Sequence, residues 1–232
     1  MTKAGPIAET DDRMDSVLAE RDALAEALQK SREHEALLSN ELQHRVRNTL
    51  AVIRSIFSRT VETSGSIDEI AMHFPGRLDA LARYQAQSAT LHREQTFDLA
   101  TMIFDELVVF AADDYQYLTL DGPEVRLPAR YAAPLGLALH ELTTNSVKFG
   151  ALSDQHSRAR LSIVWERTRT GVVLEWSESG VAIVNSAPAP TGFGRDYIEQ
   201  ALPYQVRAQT KFEILPGGIK CRIELTFDAK AG

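Results

Sequence analysis

Three short stretches of the chain carry reactive side chains at spacings that chemistry could use. The first is His44-Arg45-Val46-Arg47-Asn48. On a helical wheel Leu42, Val46, Leu50, Ile53 and Phe57 fall within about 80° of one another, and His44 lies about 160° from the centre of that stripe. The spacing therefore predicts a buried stripe and a histidine in solvent. An unperturbed imidazole has a pKa of about 6.5, so its neutral form is available as a nucleophile near pH 7. Cations beside it favour the neutral ring and an incoming phosphoryl group. Taken alone, such a histidine also reads as an ordinary solvated surface residue.

The second stretch is LGLALHELTTNSVKFG, residues 135–150. Leu135, Leu139, Leu142, Ser146 and Phe149 form its predicted packing stripe. Glu141, Asn145 and Lys148 fall within about 60° of each other on an adjacent face, at i, i+4 and i+7. Carboxylate and amide oxygens suit Mg²⁺, which takes a few protein oxygens together with phosphate oxygens, and a lysine one turn on suits the phosphates. A charge-decorated surface would show the same pattern. The third stretch is Trp176-Ser177-Glu178-Ser179-Gly180 at a strand end, followed by Gly192-Phe193-Gly194 at a helix start. A carboxylate there can accept from an adenine amino group, and paired glycines let backbone amides approach phosphates. Turn glycines and a core tryptophan are the simpler reading.

These stretches need elements to position them. From Asp12 to about Thr60 there is no proline and helix formers dominate, which predicts a helix of roughly 50 residues, about 75 Å long. Val17, Leu24, Leu28, Leu38 and Leu42 step by alternating fours and threes, with Arg21, Ser31 and Glu35 interrupting the seam. Ser64-Gly65-Ser66 breaks the helix, with Ser66 as a cap ahead of Asp68 and Glu69. A second helix is expected from about Pro75-Gly76 to Leu91, completing a hairpin. Phe97–Phe110 has helical spacing, and Tyr117–Leu127 reads as two short strands about the turn Asp121-Gly122-Pro123. A helix follows over Tyr131–Gly150. Hairpins come next at Leu161–Trp176 and Phe212–Phe227. Between them lie a stretch expected to be flexible (Ser186–Gly192) and a short helix near Tyr197–Ala201. The pattern predicts one mixed sheet with helices on one face.

Bulk properties exclude several classes. A net charge of −7 argues against nucleic acid as the main partner. No apolar run reaches the ~20 residues of a membrane span, and MTKAGPIAETDD lacks the apolar core of a signal peptide. The single cysteine, Cys221, excludes an internal disulfide, and its alternating apolar setting predicts a buried structural thiol. The expectation is a cytoplasmic protein.

In this order the motifs resemble the histidine kinases of two-component signalling, and more narrowly the HWE subfamily, over roughly residues 38–228. HRVRNTL resembles the phospho-acceptor box, ALHELTTNSVKFGAL the N box with its histidine His140, Trp176-Ser177-Glu178 the Trp-x-Glu signature, and Gly192-Phe193-Gly194 the second glycine box. The resemblance implies an α+β protein: a helical-hairpin dimerisation and phospho-acceptor region, then an α/β sandwich ATP-binding domain shared with gyrase and Hsp90-like ATPases. It implies that His44 is the phosphorylated residue, with Arg45 and Asn48 supporting it. Asn145 is the implied Mg²⁺ ligand and Glu141 an acid/base or metal-shell group. Lys148 would contact phosphate and Glu178 adenine. Gly180, Gly192 and Gly194 would shape the pocket, with His140 and Trp176 in supporting places. The family pattern has two glycines and a proline after the Trp-x-Glu stretch. Here Gly180 is followed by Val181 and Ala182, which bears on the flexibility of that turn and on ATPase competence.

The expected division is a disordered 1–11, a coiled-coil and hairpin region 12–94 and a catalytic domain 95–232. No folded sensory domain fits before residue 12, so the input is expected from a missing part, from the N-terminal coil or from a partner. The expected activity is ATP- and Mg²⁺-dependent autophosphorylation of His44 and transfer to an aspartate of a response-regulator receiver domain, by a homodimer. Two other readings fit the residues: a dimeric histidine phosphotransferase with a degenerate ATP domain, and an ATP-driven conformational machine of the gyrase or Hsp90 type.

Overall fold

The computed structural model describes residues 7–90, 96–108, 117–153, 159–181 and 192–227. The chain divides into two units, Met1–Ser55 and Ile56–Gly232. The first consists of most of α1 (Ile7–Thr63), a helix of 57 residues. It begins at Ile7 and not at Asp12, so residues 7–11, expected to be disordered, are helical. Pro6 is the last proline ahead of it, and Ile7-Ala8-Glu9-Thr10 contains no breaker. Pairs one turn apart decorate its surface, Lys30 with Glu26 at 2.7 Å and Gln29 with Glu33 at 2.8 Å. The stripe predicted to be buried is open in the single chain: Leu42 is 63% and Leu50 59% exposed. Periodicity identifies the face that gains from burial, but a lone helix has no second layer to supply it.

In the second unit the last turns of α1 are packed, with Ile56 and Thr60 buried. Ser66 caps α2 (Ile67–Thr90) by accepting from the Glu69 amide at 3.2 Å, and the Glu69 carboxylate reaches back to the Gly65 amide at 2.7 Å. The helix therefore starts well before the expected Pro75 and runs through it. An interior proline costs about 3 kcal/mol. Burial of Ala80, Leu81 and Tyr84 on the turns that follow offsets that cost.

The strand β1 (Thr96–Asp98) leads into α3 (Leu99–Val108), so Phe97, expected to be helical, is a strand residue. Asp98 accepts from the Thr101 amide at 2.8 Å, which starts the helix. Phe110 lies outside the described residues. The strands β2 (Leu118–Asp121) and β3 (Arg126–Pro128) flank the expected turn but join different sheets. β3 pairs antiparallel with β1, and β2 pairs parallel with β4 (Arg160–Arg167).

The main sheet has the order β2-β4-β5-β7-β6, with β5 (Gly171–Ser179), β6 (Gln209–Leu215) and β7 (Gly218–Thr226). Both predicted hairpins are present, β4–β5 and β6–β7. Leu161, Ile163 and Trp165, then Val172, Leu174 and Trp176, then Cys221, Ile223 and Leu225 are buried, so one face of the sheet is the core face. Burial pushes the Cys221 thiol up to about 12, which makes it the inert structural thiol expected.

The helix α4 (Ala129–Phe149) is the central helix, buried at Leu135, Leu139, Leu142 and Ser146. Phe149, placed in its packing stripe by periodicity, is 72% exposed, because the helix ends there and Gly150 turns away in extended backbone. The predicted short helix is longer than Tyr197–Ala201. It comprises α5 (Phe193–Asp196), a π turn (Tyr197–Ala201) and α6 (Leu202–Val206). The stretch 186–191 lies outside the described residues. Among those described, no helix is long and apolar enough to cross a membrane.

Candidate active site

In the first unit, His44 is exposed on α1, as its wheel position predicts. Asn48, one turn on, places its amide nitrogen 3.3 Å from His44 Nδ1. The nitrogen and oxygen of an amide are nearly isosteric, so either can face the ring. With the oxygen inward, Nδ1–H donates and the Nε2 lone pair is free. Arg47 turns back along the helix and donates to the Gln43 carbonyl at 3.3 Å. The Arg45 side chain lies outside those described.

In the second unit, α4 carries the carboxylate, amide and ammonium on one face, and α2 and α5 close over them. Glu141 is 3% exposed, and both its oxygens accept from Arg77 of α2, at 2.7 Å from Nε and 3.2 Å from Nη2. Arg77 is itself 8% exposed. Its Nη1 donates to Thr60 Oγ1 at 2.8 Å, and that hydroxyl donates to the Ile56 carbonyl at 2.6 Å. The guanidinium lies 3.8 Å over the ring of Phe193, the residue between the two glycines. Sequence reasoning placed Glu141 as an acid/base or metal-shell group; the structure gives its carboxylate a bidentate partner that was not foreseen. Removing one member of such a buried pair costs roughly 3–5 kcal/mol, because the other charge is stranded.

Gly194 sits directly on this patch. A Cβ there would stand 2.9 Å from Glu141 Oε2 and 3.0 Å from Asn145 Nδ2, so any larger residue would push these side chains aside. Gly192 differs: nothing lies within 4 Å of an added Cβ. Lys148 faces His73 of α2, with Nζ 3.2 Å from Nδ1. Burial first, and then the charge of Arg77, lowers the Lys148 pKa from its usual value. Burial, Lys148 and Arg77 likewise lower that of His73. Two helices thus crowd cationic or cation-forming groups, Arg77, His73 and Lys148, about one carboxylate.

Glu178 and Trp176 occupy one face of β5 two residues apart, which explains their spacing. Trp176, 1% exposed, donates from Nε1 to Glu178 Oε1 at 2.9 Å, and the Ala151 amide donates to Oε2 at 2.7 Å. Each oxygen thus holds one hydrogen bond and keeps a second lone pair. Gly180 adopts φ 76°, a left-handed turn that glycine enters without strain. Val181, where the family pattern has glycine, is buried and donates its amide to the Gly217 carbonyl at 2.9 Å. Ala182 lies outside the described residues.

His140, for which the sequence offers no physical role, joins α4 to α3 and α2. Its Nδ1 is 3.2 Å from Glu106 Oε2, and a Cβ on Gly76 would meet its ring at 3.1 Å. Glu106, 1% exposed, also accepts from Arg83 at 2.7 Å. Arg77, His73, Arg83 and Glu106 were all missed by sequence reasoning. A signal was present: Arg77 stands in one stripe with Ala80, Leu81 and Tyr84, and Glu106 in one with Met102 and Ile103. A charge inside an apolar stripe asks for a buried partner.

The architecture and motifs have counterparts among known proteins. Residues 41–124 match a family model described as HWE histidine kinase. A curated blue-light-activated histidine kinase 1 of Erythrobacter litoralis is 35% identical over 159 residues, which are 66% of this chain and 42% of that protein. A blue-light-activated histidine kinase of Brucella anthropi is 28% identical over 193 residues, 82% of this chain and 39% of that one. The chain thus spans about two fifths of these relatives' length. Among solved structures, the Erythrobacter litoralis EL346 blue-light activated histidine kinase superposes with a TM-score of 0.55 at 16% identity, over 82% of this chain and 62% of that one. Its separate histidine kinase domain gives 0.53 at 12% identity, over 79% and 86%. At such identities the match shows the fold, which is that of a histidine kinase.

Proposed function

We propose that this chain, whose residues 41–124 match the HWE histidine kinase family model, autophosphorylates His44 from ATP and passes the phosphoryl group to an aspartate of a response-regulator receiver domain. The observation that carries the reading is the closure of Gly194 onto Glu141 and Asn145. It brings the glycine box and the N box to one polar patch beside a lysine without a carboxylate ion pair among the described residues. Residues 12–94 supply the acceptor and residues 95–232 the nucleotide site.

In this mechanism Nε2 of neutral His44 attacks the γ-phosphorus in line. The Nε2–P bond forms as the bond to the bridging oxygen breaks, ADP leaves, and the ring, exposed on α1, returns to neutrality by losing its Nδ1 proton to water. Asn48, with its oxygen inward, holds the required tautomer. Glu178 accepts from the adenine amino group through a lone pair that Trp176 and Ala151 leave unused. Lys148 turns from His73 to phosphate oxygens. The donor set fits Mg²⁺: Asn145 offers a single amide oxygen, no cluster of three His, Cys, Asp or Glu competes among the described residues, and the nucleotide would complete the shell. Bound there, Mg²⁺ neutralises charge on the phosphates.

Labelling with γ-labelled ATP and Mg²⁺ tests the reading: the label should be acid-labile and alkali-stable. It should also vanish in Asn145→Ala while the helical signal persists. Turnover of ATP without phosphoprotein would favour the conformational ATPase. The open stripe of Leu42, Val46, Leu50 and Phe57 supports a homodimer, for which light scattering should give about twice 25.7 kDa. A second reading, a phosphotransferase with a degenerate ATP domain, is favoured by the tethered Val181 turn. Absence of micromolar Mg-ATP binding would select it.

A further inference from the structure

The geometry points to Arg77 as a positioning residue of the kinase site, one that no motif of the nucleotide-binding domain contains. This inference rests on the kinase reading above. Arg77 lies on α2, outside the acceptor box, the N box and both glycine boxes, yet it touches elements that must act together. Its fork takes both oxygens of Glu141 at 2.7 and 3.2 Å, and its flat face lies 3.8 Å over Phe193. Its remaining arm holds Thr60 at 2.8 Å, on the last turns of the helix that bears His44. Glu141 in turn bounds the space into which Gly194 fits, and Phe193 precedes that glycine. A shift of the guanidinium would therefore move the N-box carboxylate and the glycine box together.

The chemistry of the side chain supports the assignment. A guanidinium is planar, permanently charged and able to bind a carboxylate with two parallel bonds while stacking on a ring; an ammonium cannot do all three. The pair is also largely shielded from solvent, with side-chain exposures of 9% and 4%. Arg77 thus acts from behind the site, by fixing where Glu141 and Phe193 stand, and does not touch the nucleotide. Phosphoryl transfer is acutely sensitive to such placement, since a misplacement near 1 Å can cost on the order of a hundredfold in rate.

The test is Arg77→Lys, which keeps a charge opposite Glu141 but loses the fork and the stack. The initial rate of phosphohistidine formation should fall roughly 10- to 100-fold. The affinity for Mg-ATP should stay within about threefold, the split expected of lost placement and not of lost binding. Thr60→Val, which removes one bond without stranding a charge, should lower the rate by a few fold with affinity unchanged, and it decides the matter if the lysine variant fails to fold. An unchanged or increased rate in the soluble variants, or affinity lost in proportion to rate, overturns the proposal. The Arg77 Nε–H resonance of the wild type, identified by its loss in the lysine variant, should shift when a non-hydrolysable Mg-ATP analogue is added. A wild type that makes no phosphohistidine defeats the kinase reading. The resonance still judges Arg77: one indifferent to nucleotide sinks the positioning role.

Discussion

Two stretches of α1 contrast sharply. Leu42, Val46 and Leu50 are each about half exposed or more, whereas Ile56 and Thr60, only two turns further on, are at 2% and 0%. Phe57, on the same stripe, stays 49% exposed, and Ile56 and Thr60 lie toward one edge of it. What changes is the company: near its end the helix meets α2, where Phe74 packs edge-on to Phe57 at 5.4 Å and Arg77 reaches Thr60. The functional residues divide in the same way. Among the described residues His44 is held by little more than Asn48, while Glu141, Glu178 and Trp176 are buried and anchored by hydrogen bonds from neighbouring elements. The difference suits the roles proposed for them. A phospho-acceptor has to meet a nucleotide and then a second protein, whereas groups that define a pocket must not move.

The contrast breaks first at His44. His44→Gln should abolish labelling entirely while changing the melting temperature by no more than about 2 °C, since exposed substitutions stay within about 0.5 kcal/mol. Residual labelling would put the acceptor elsewhere. Glu141→Gln should behave in the opposite way and reach stability itself. It strands the Arg77 charge at a cost of roughly 3–5 kcal/mol, which in a unit of this size lowers the melting temperature by roughly 6–20 °C. Calorimetry showing an unaltered transition would mean that the buried pair holds nothing together.

Most of the fold was legible in the sequence because its signals are local. Alternation at Leu161–Trp165 and Val172–Trp176, the pause at Thr170-Gly171 and the Ser66 cap each depend on neighbours a few residues away. The errors share one cause: outcomes set by partners distant in sequence. Pro75 reads as a helix start, yet tertiary packing of the turns after it carries α2 through. Phe149 reads as core but falls beyond the last packed turn. Strands β2 and β3 flank one turn but find partners in different sheets. At the site, types and spacings located Glu141, Asn145 and Lys148 on one face. They could not supply Arg77 or His73, which approach from 64 and 75 residues away.

Glu178 sharpens the contrast at smaller scale, through a carboxylate already half occupied. Glu178→Gln should reduce the preference for ATP over GTP by about 1.5–3 kcal/mol, roughly 10- to 150-fold, because the amide loses the charge and one of two acceptor oxygens, and its NH2 can donate to the guanine carbonyl. Nucleotide titrations of wild type in which GTP competes equally would remove its adenine role. The smallest effect is expected at His73. Its pKa is lowered in the folded state, by burial first and then by Lys148 and Arg77. As pH falls below about 6.5 the unfolded chain therefore binds this proton first, and stability is lost toward the folded value; above 6.5 nothing changes. His73→Gln should flatten that acid limb by about one or two degrees in melting temperature, a small figure because solvent screens a half-open group. Coincident acid limbs for the two proteins would contradict the assignment.

Cys221 has a practical corollary. The chain's one thiol is 1% exposed and titrates near 12, so at neutral pH it offers almost no thiolate to an alkylating reagent. A cysteine introduced on the open surface of α1, at Leu24 or Leu38 for instance, would be the sole reactive thiol. Spin or fluorescent labels could then be attached to the unaltered background, and separations between copies or between units could be measured as nucleotide is added.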